Sequence, residues 1–313
     1  MKLCLVIPCY NEEEVLSETA ARLFEKYEKL IHNGSISPDS RICFVDDGSK
    51  DKTWELIEKL DSENDIFCGI KLSRNRGHQN ALLAGLMTVK DKFDAVISMD
   101  ADLQDDIDAI DKMIDSFKAG NDIVYGVRSS RKKDSFFKRT TAQLFYKLMR
   151  LMGAETVYNH ADFRLMSRRA LDALGDFEEV NLYLRGIVPL IGFPSDTVYY
   201  ERNERFAGKS KYPFKKMLSF AFEGITSLSI RPISLIIRLG VLMSIFGLGI
   251  LIYALVQHFL DHTTAGWTSI MASIWVIGGI QLLAIGIIGK YIGKIYLETK
   301  HRPRFIIEKN TLK

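Results

Sequence analysis

Two long apolar runs near the carboxyl end constrain this chain more than any other feature. Leu239–Val256 and Trp267–Gly289 contain no charged residue. At about 1.5 Å per residue, a helix formed by the first run would span roughly 27 Å, which is close to the hydrocarbon thickness of a bilayer. A pair of buried core helices is the other interpretation, but helices that are apolar on all sides would need a much larger soluble core. We therefore expect two transmembrane helices within residues 233–289.

Charge around the two runs predicts how they are oriented. The segment 257–266 between them contains no Lys or Arg, whereas basic residues precede the first run and follow the second: Lys215, Lys216, Arg231, Lys290, Lys294, Lys300, Arg302 and Arg304. The positive-inside rule then places 257–266 outside and both termini in the cytoplasm. Residues 213–232 repeat apolar side chains at helical spacing, which fits a helix on the membrane surface or one packed on the soluble domain.

Residues 1–212 have a different pattern, in which short apolar runs alternate with helical stretches. The predicted strands are Leu3–Ile7, Ile42–Val45, Phe67–Leu72, Ala95–Met99 and Ile123–Val127. The predicted helices are Glu12–Ile31, Thr53–Leu60, Gln79–Val89 and Asp108–Lys118. Such alternation is typical of an α/β domain with a mostly parallel sheet, and ligands of these sheets bind beyond the carboxyl ends of the strands. We predict one such domain, followed by the membrane region and a cytoplasmic tail, 290–313.

The first two strand ends carry polar motifs. Pro8 precedes Tyr10, Asn11 and Glu12, which can hold a base and ribose, or simply start a helix with Asn11 as its cap. No G-x-G-x-x-G pattern follows the strand, which argues against a dinucleotide-dependent dehydrogenase. The second strand ends in the pair Asp46–Asp47, which can accept hydrogen bonds from a nucleobase or a ribose, or form an Asp-Gly turn. The net charge of +3 is too small to indicate nucleic-acid binding.

An acidic segment follows the fourth strand. Asp100, Asp102 and Gln104 alternate, so in an extended segment they project to the same side and offer oxygen ligands to one hard cation. Mg²⁺ or Mn²⁺ bound there would keep waters and bridge a diphosphate. Asp105 and Asp111 stand where an EF-hand loop needs Gly and Glu, which excludes that calcium site. An acidic turn without a ligand is the alternative.

Three further features concern proton transfer and phosphate binding. Asp162 lies between apolar neighbours, so either desolvation raises its pKa and it accepts a proton, or it forms a salt bridge with Arg164 or Arg168. The basic segment 205–212, which includes Arg205, Ser210 and Lys211, can neutralise a phosphate at the membrane together with Arg128 and Arg131, or can attract anionic headgroups. His78 is interpreted as a surface or supporting residue.

These motifs, in this order, resemble the family 2 glycosyltransferases. The quoted patterns are I-P-x-Y-N-E, V-D-D-G-S-x-D-x-T, D-A-D-L-Q-D, D-F-R-L and R-F-x-G-x-S-K. More narrowly, the chain looks like the polyprenyl-phosphate glycosyltransferases, which include dolichol-phosphate mannose synthases and bactoprenol glucosyltransferases of the GtrB type. The resemblance covers essentially the whole chain, including the two C-terminal apolar runs.

The resemblance implies a GT-A (Rossmann-like) fold and an inverting transfer of one sugar. The donor would be a nucleotide sugar, UDP-glucose or similar, and the acceptor an undecaprenyl or dolichyl phosphate at the cytoplasmic face. It implies a nucleotide-sugar site made of Pro8, Tyr10, Asn11, Glu12, Asp46, Asp47, Asp100 and Ala101. It implies metal ligands Asp100, Asp102 and Gln104, phosphate contacts from Arg128, Arg131, Arg205, Ser210 and Lys211, and Asp162 as the catalytic carboxylate. The chain departs from the pattern at Arg76–Gln79, where many relatives carry Phe-Gly-Lys-Glu.

Two alternative functions and one assembly question stay open. A processive polysaccharide synthase would share the catalytic half, but its Q-x-x-R-W motif is absent from the sequence. A non-catalytic membrane scaffold would be expected to lose its metal ligands, whereas Asp100 and Asp102 are both present. Small residues four apart, at Gly240/Ser244 and Gly289/Gly293, leave a homo-oligomer possible.

Overall fold

The computed structural model describes residues 1–129, 160–180, 182–201, scattered positions between 233 and 249, and 266–312. The strands are β1 Leu3–Cys9, β2 Arg41–Asp46, β3 Phe67–Leu72, β4 Ala95–Ser98, β5 Ile123–Arg128, β6 His160–Ser167, β7 Ser195–Tyr200 and β8 Ile307–Asn310. The helices are α1 Leu16–His32, α2 Thr53–Glu63, α3 His78–Val89, α4 Ala109–Lys118, α5 Arg168–Gly175, α6 Leu184–Leu190 and α7 Trp267–Glu298.

The eight strands form one sheet in the order β7-β5-β6-β4-β1-β2-β3-β8. β1 pairs in parallel with β2 and β4, β2 with β3, and β5 with β7. β6 is antiparallel to β4 and β5, and β8 is antiparallel to β3. The sheet is therefore mostly parallel, as predicted, with two strands that run against the rest.

The sheet is covered on both faces because its strands are apolar on both sides. In β1, Leu3, Leu5 and Ile7 belong to one buried cluster, whereas Cys4 and Val6 belong to a second cluster on the opposite face. The first cluster includes side chains of α1, α2 and α4, and the second includes side chains of α3, α5 and α6. Strands buried on both faces are typical of α/β folds with helical layers.

The five predicted strands and four predicted helices are all present; β3 has the predicted bounds, and the other elements have at least one shifted end. The largest shift is at α1, which begins at Leu16 instead of Glu12. Asn11 has a φ of 53°, and the backbone N–H groups of Asn11 and Glu12 bond to Ser49 and Thr53. These residues therefore form a loop rather than a first helical turn.

The carboxyl-terminal part contains a long apolar helix and a strand that returns to the sheet. In the described residues, one stretch is long and apolar enough to cross a bilayer, Ile280–Glu298, with a mean hydropathy of 1.4 and none of it buried. The described positions between 233 and 249 are helical. Residues 290–298 of the predicted tail 290–313 belong to α7, and the tail then contributes β8, which pairs with β3.

Candidate active site

The predicted site residues meet at one edge of the sheet because of the strand directions. β1, β2 and β4 are parallel and end at this edge, while β6 runs the other way and begins there. Ser98 of β4 is opposite Arg164 of β6, and the Ser98 hydroxyl donates to the backbone carbonyl of Asp162. Asp162 therefore lies beside the segment that starts at Asp100.

Asp162 is buried between two arginines. Its Oδ1 accepts hydrogen bonds from Arg164 Nη2 at 2.8 Å and Arg185 Nε at 3.2 Å, and its Oδ2 accepts one from Arg185 Nη2 at 2.9 Å. Burial alone would raise the Asp162 pKa, but Arg185, His78 and Arg164 outweigh it and hold that pKa well below its usual value. Of the two alternatives for Asp162, the structure has the salt bridge to Arg164, together with one to Arg185 that was not predicted.

His78 connects Asp162 to the acidic segment, which sequence reasoning missed. Its Nε2 is 3.5 Å from Asp100 Oδ1 and 3.5 Å from Asp162 Oδ2. Burial would lower the His78 pKa, but hydrogen bonding to Asp162 and the charges of both carboxylates raise it overall. The signal in the sequence was the departure at Arg76–Gln79, which places this histidine at the start of α3.

Of the predicted metal ligands, Asp100 lies next to this histidine. Burial and the charges of Asp105, Asp162 and Asp102 raise the Asp100 pKa to about 6, although His78 opposes them. Asp102 Oδ1 accepts the backbone N–H of Gln104 at 3.2 Å, and Gln104 is buried. Among the residues the structure describes, no three His, Cys, Asp or Glu side chains are arranged to hold a metal ion. Carboxylate and amide oxygens are ligands that Mg²⁺ and Mn²⁺ prefer, so the residue types at Asp100, Asp102 and Gln104 fit such an ion.

Arg128, which was predicted to contact phosphate, lies at the end of β5 and is paired within the protein. Its Nη2 donates to Asp105 Oδ1 at 3.2 Å and its Nε to the Tyr200 hydroxyl at 3.3 Å. The Tyr200 hydroxyl also donates to Asp105 Oδ1. Asp105 is buried and its Oδ2 has no hydrogen-bond partner within the described residues. This triad fixes the end of β5 beside the acidic segment.

The two aspartates at the end of β2, Asp46 and Asp47, have different surroundings. Asp47 accepts the backbone N–H groups of Arg76 at 2.7 Å and Gly77 at 2.9 Å, so it holds the loop before α3 in place. Asp46 accepts the Ser49 N–H through Oδ1, while its buried Oδ2 has no partner in the described part of the chain. Burial raises the pKa of both carboxyls. Asp46 is fully buried, and it is therefore the member of the pair that has one carboxylate oxygen without a hydrogen-bond partner among the described residues.

The loop after β1 is bound to the loop after β2. Asn11 Oδ1 accepts the Lys50 N–H at 2.9 Å, and Glu13 Oε2 accepts the Lys52 N–H at 3.1 Å. Tyr10 precedes these contacts, and 41% of its surface is exposed. The two loops thus form one unit with an aromatic ring open to solvent. Four predicted phosphate contacts, Arg131, Arg205, Ser210 and Lys211, lie outside the described residues.

Comparison with known proteins defines the class. Residues 4–175 match the family described as Glycosyl transferase family 2. A Bacillus subtilis protein named uncharacterized glycosyltransferase YkoT is 55% identical over 98% of this chain and 91% of its own length. The bactoprenol glucosyl transferase of Shigella phage SfX is 38% identical over 98% of this chain and 99% of its own length. The chain belongs to glycosyl transferase family 2, and it is a glycosyltransferase.

A solved structure agrees with the fold. The mannosyltransferase PcManGT from Pyrobaculum calidifontis, solved in complex with GDP-Man and Mn²⁺, matches 93% of this chain and 87% of its own, with a TM-score of 0.50 and 14% sequence identity. The predicted GT-A-like, mostly parallel α/β sheet is therefore confirmed.

Proposed function

We propose that the protein transfers one sugar, with inversion, from a nucleotide sugar such as UDP-glucose to a polyprenyl phosphate at the cytoplasmic face of the bacterial plasma membrane. The observation that carries this proposal is the similarity to bactoprenol glucosyl transferases, which extends over nearly the full length of both chains. A shared catalytic domain alone would support any family 2 activity. Similarity through the apolar carboxyl-terminal part favours the same lipid acceptor.

The donor site is proposed at the loops after β1 and β2. Tyr10 offers an exposed ring for a base, and Asp46, which is fully buried, supports the loop after β2 by accepting the Ser49 N–H. Pro8, Asn11 and Glu12 shape this loop, and Asp47 holds the facing loop through Arg76 and Gly77. Ala101 is buried beside Asp100, where the diphosphate would lie.

The diphosphate site is proposed at Asp100, Asp102 and Gln104, with Mg²⁺ or Mn²⁺. When bound, the metal would supply positive charge that stabilises the leaving nucleoside diphosphate. Burial and the nearby carboxylates together raise the Asp100 pKa, and a bound cation would relieve the repulsion among those carboxylates. The Arg128 guanidinium, held by Asp105, would face phosphate oxygens at the same edge of the sheet.

The membrane arrangement is proposed to be two spans with both termini on the cytoplasmic side. Pairing between β8 and β3 supports it, because β8 follows α7 and β3 precedes every apolar run. If the catalytic sheet lies on one side, the chain between 201 and 306 must cross the bilayer an even number of times. The apolar surface of α7, which is exposed in the isolated chain, would then contact lipid.

The metal site gives the first test. Asp102→Asn is expected to lower sugar transfer at least about 100-fold, because it removes one anionic ligand from the diphosphate site. Asp115→Asn, on the exposed surface of α4, is the matched control and should leave transfer unchanged. Turnover with purified protein, Mn²⁺ and a short polyprenyl phosphate is the measurement. Equal turnover in both variants, with both folded, would refute the assignment of Asp102.

A further inference from the structure

Arg185 differs from the other arginine that contacts Asp162. Arg164 is fully enclosed, with 2% of its side chain exposed, and it also donates to the Leu184 carbonyl at 3.4 Å. Arg185 lies in the first turn of α6, with 38% of its side chain exposed. Both guanidiniums therefore use the same carboxylate, but only Arg185 is accessible from the site.

The single negative charge of Asp162 cannot neutralise both of the guanidinium groups that contact it. Asp162 faces Arg164 and Arg185 together, so one carboxylate serves two guanidinium groups. Arg185 uses Nε and Nη2 for Asp162, and no other acceptor bonds to it among the described residues. A guanidinium has five N–H donors, so donors remain for a further oxyanion. Bidentate recognition of phosphate is a typical use of such an arginine.

We propose that Arg185 binds the phosphate of the lipid acceptor and that Asp162 is a positioning residue that holds the guanidinium for it. This inference rests on the proposed function. A phosphate oxygen attacks the anomeric carbon of the donor sugar, and the new carbon–oxygen bond forms as the bond to the nucleoside diphosphate breaks. The leaving diphosphate takes the electron pair. The second pKa of a phosphate monoester is about 6, so the acceptor is mostly dianionic at neutral pH and loses no proton in this step.

The start of α6 is built to keep Arg185 at this position. Gln79 Oε1 accepts the Leu184 N–H at 3.0 Å, and Gln79 Nε2 is 3.5 Å from Asp162 Oδ2. The first residue of α6 is thereby connected to α3, which carries His78 at its first position. A rigid, pre-oriented guanidinium loses little conformational entropy when it binds an anion.

The test separates acceptor binding from donor binding. Wild type, Arg185→Lys, Arg185→Gln and the control Arg168→Gln are compared with a short polyprenyl phosphate and a nucleotide sugar. Arg168 pairs only with exposed Asp91 among the described residues, at 3.4 Å. We expect Arg185→Gln to raise the acceptor KM by about 10- to 100-fold with little change in the donor KM, and Arg185→Lys to recover part of the loss. Arg168→Gln should change neither constant.

The role of Asp162 is tested by a double-mutant cycle. Asp162→Asn should raise the acceptor KM in the wild-type background and have a much smaller effect when Arg185 is already Gln. Equal effects in the two backgrounds, or a donor KM that rises as much as the acceptor KM, would overturn the proposal. A wild-type protein that adds no sugar to any lipid phosphate would instead refute the proposed function. Active wild type with an unchanged acceptor KM in Arg185→Gln would refute only the inference about Arg185.

Discussion

At the scale of single residues, the ionisation of Asp162 decides which chemistry is available. A carboxylate between two arginines is stabilised as an anion, and its lowered pKa makes it a weak proton acceptor. Sequence reasoning identified the residue and named Arg164 as an alternative partner. Sequence reasoning could not identify Arg185 as a partner, because the sequence between Asp162 and Arg185 does not reveal that α6 packs against the first residues of β6.

The lowered pKa of Asp162 predicts how the cost of its removal depends on pH. Asp162→Asn should destabilise the protein by about 3–5 kcal/mol, since it leaves buried Arg164 without its counter-charge. A carboxyl group with a lowered pKa stabilises the folded protein at pH values above its unfolded pKa. This contribution is lost only as the pH falls below about 4. The pKa of His78 is raised, partly by Asp162, so protonated His78 stabilises the folded protein below about pH 6.5. This contribution is lost as the pH rises.

The cost of Asp162→Asn should therefore be at least as large at about pH 5.5 as at about pH 8. The measurement is the difference in melting temperature between wild type and variant at the two pH values. A cost that shrinks toward the lower pH would show that wild-type Asp162 takes up a proton in this range, and would contradict the ion-pair account.

Gly48 is a second residue whose identity is fixed by geometry. Its φ is +67°, and a Cβ would lie 2.6 Å from the backbone carbon of Arg74 and 2.7 Å from the backbone nitrogen of Asn75. Gly34 has a similar φ of +73°, but a Cβ there would meet nothing within 4 Å. Alanine at Gly34 would therefore add backbone strain alone, whereas alanine at Gly48 would add both backbone strain and a steric clash.

We expect Gly34→Ala to cost about 1–2 kcal/mol, for the left-handed conformation alone. Gly48→Ala should lower the free energy of unfolding by about 1–3 kcal/mol more than Gly34→Ala does, because its Cβ clashes with backbone that Asp47 holds in place. Chemical unfolding of both variants measures the difference. Equal destabilisation would contradict the close approach of the loops after β2 and β3.

At the scale of elements, the sequence predicted the first half of the sheet well and the second half poorly. β1 to β5 are apolar runs that are buried on both faces, so composition and length identify them. β7 has several exposed residues and β8 is exposed along its length, so neither has the apolar pattern of a central strand. β6 includes the buried charges Asp162 and Arg164, which interrupt the pattern although the strand is central.

β8 offers a test of the sheet edge. The Thr311 N–H donates to the Gly69 carbonyl, and the Thr311 hydroxyl accepts the Gly69 N–H at 2.9 Å. Thr311→Pro removes both bonds and should cost about 1–3 kcal/mol, whereas Thr311→Ser keeps both and should cost under about 1 kcal/mol. Thermal unfolding of the purified protein compares them. Two variants with the same melting temperature would count against the pairing of β8 with β3.

At the scale of the whole molecule, hydrogen bonds connect the end of α7 and the residues after it to segments near the site. Glu298, the last residue of α7, accepts the Val180 N–H, and Arg304 Nη1 donates to the Phe177 carbonyl at 2.6 Å. Arg76 Nη2 donates to the Pro303 carbonyl at 3.5 Å, next to the loop that Asp47 holds. A membrane-embedded α7 would thus keep the catalytic edge at a fixed position relative to the bilayer, as the proposed lipid acceptor requires.

The most direct test of the central claim is the mass of the lipid product. Purified protein with Mn²⁺ is given a panel of UDP- and GDP-sugars and a short polyprenyl phosphate, with the matching polyprenol as control. The account predicts that the lipid phosphate gains the mass of one sugar with one preferred donor, and that the polyprenol gains none. A polyprenyl phosphate that gains no sugar from any donor, or gains several per lipid, would contradict it.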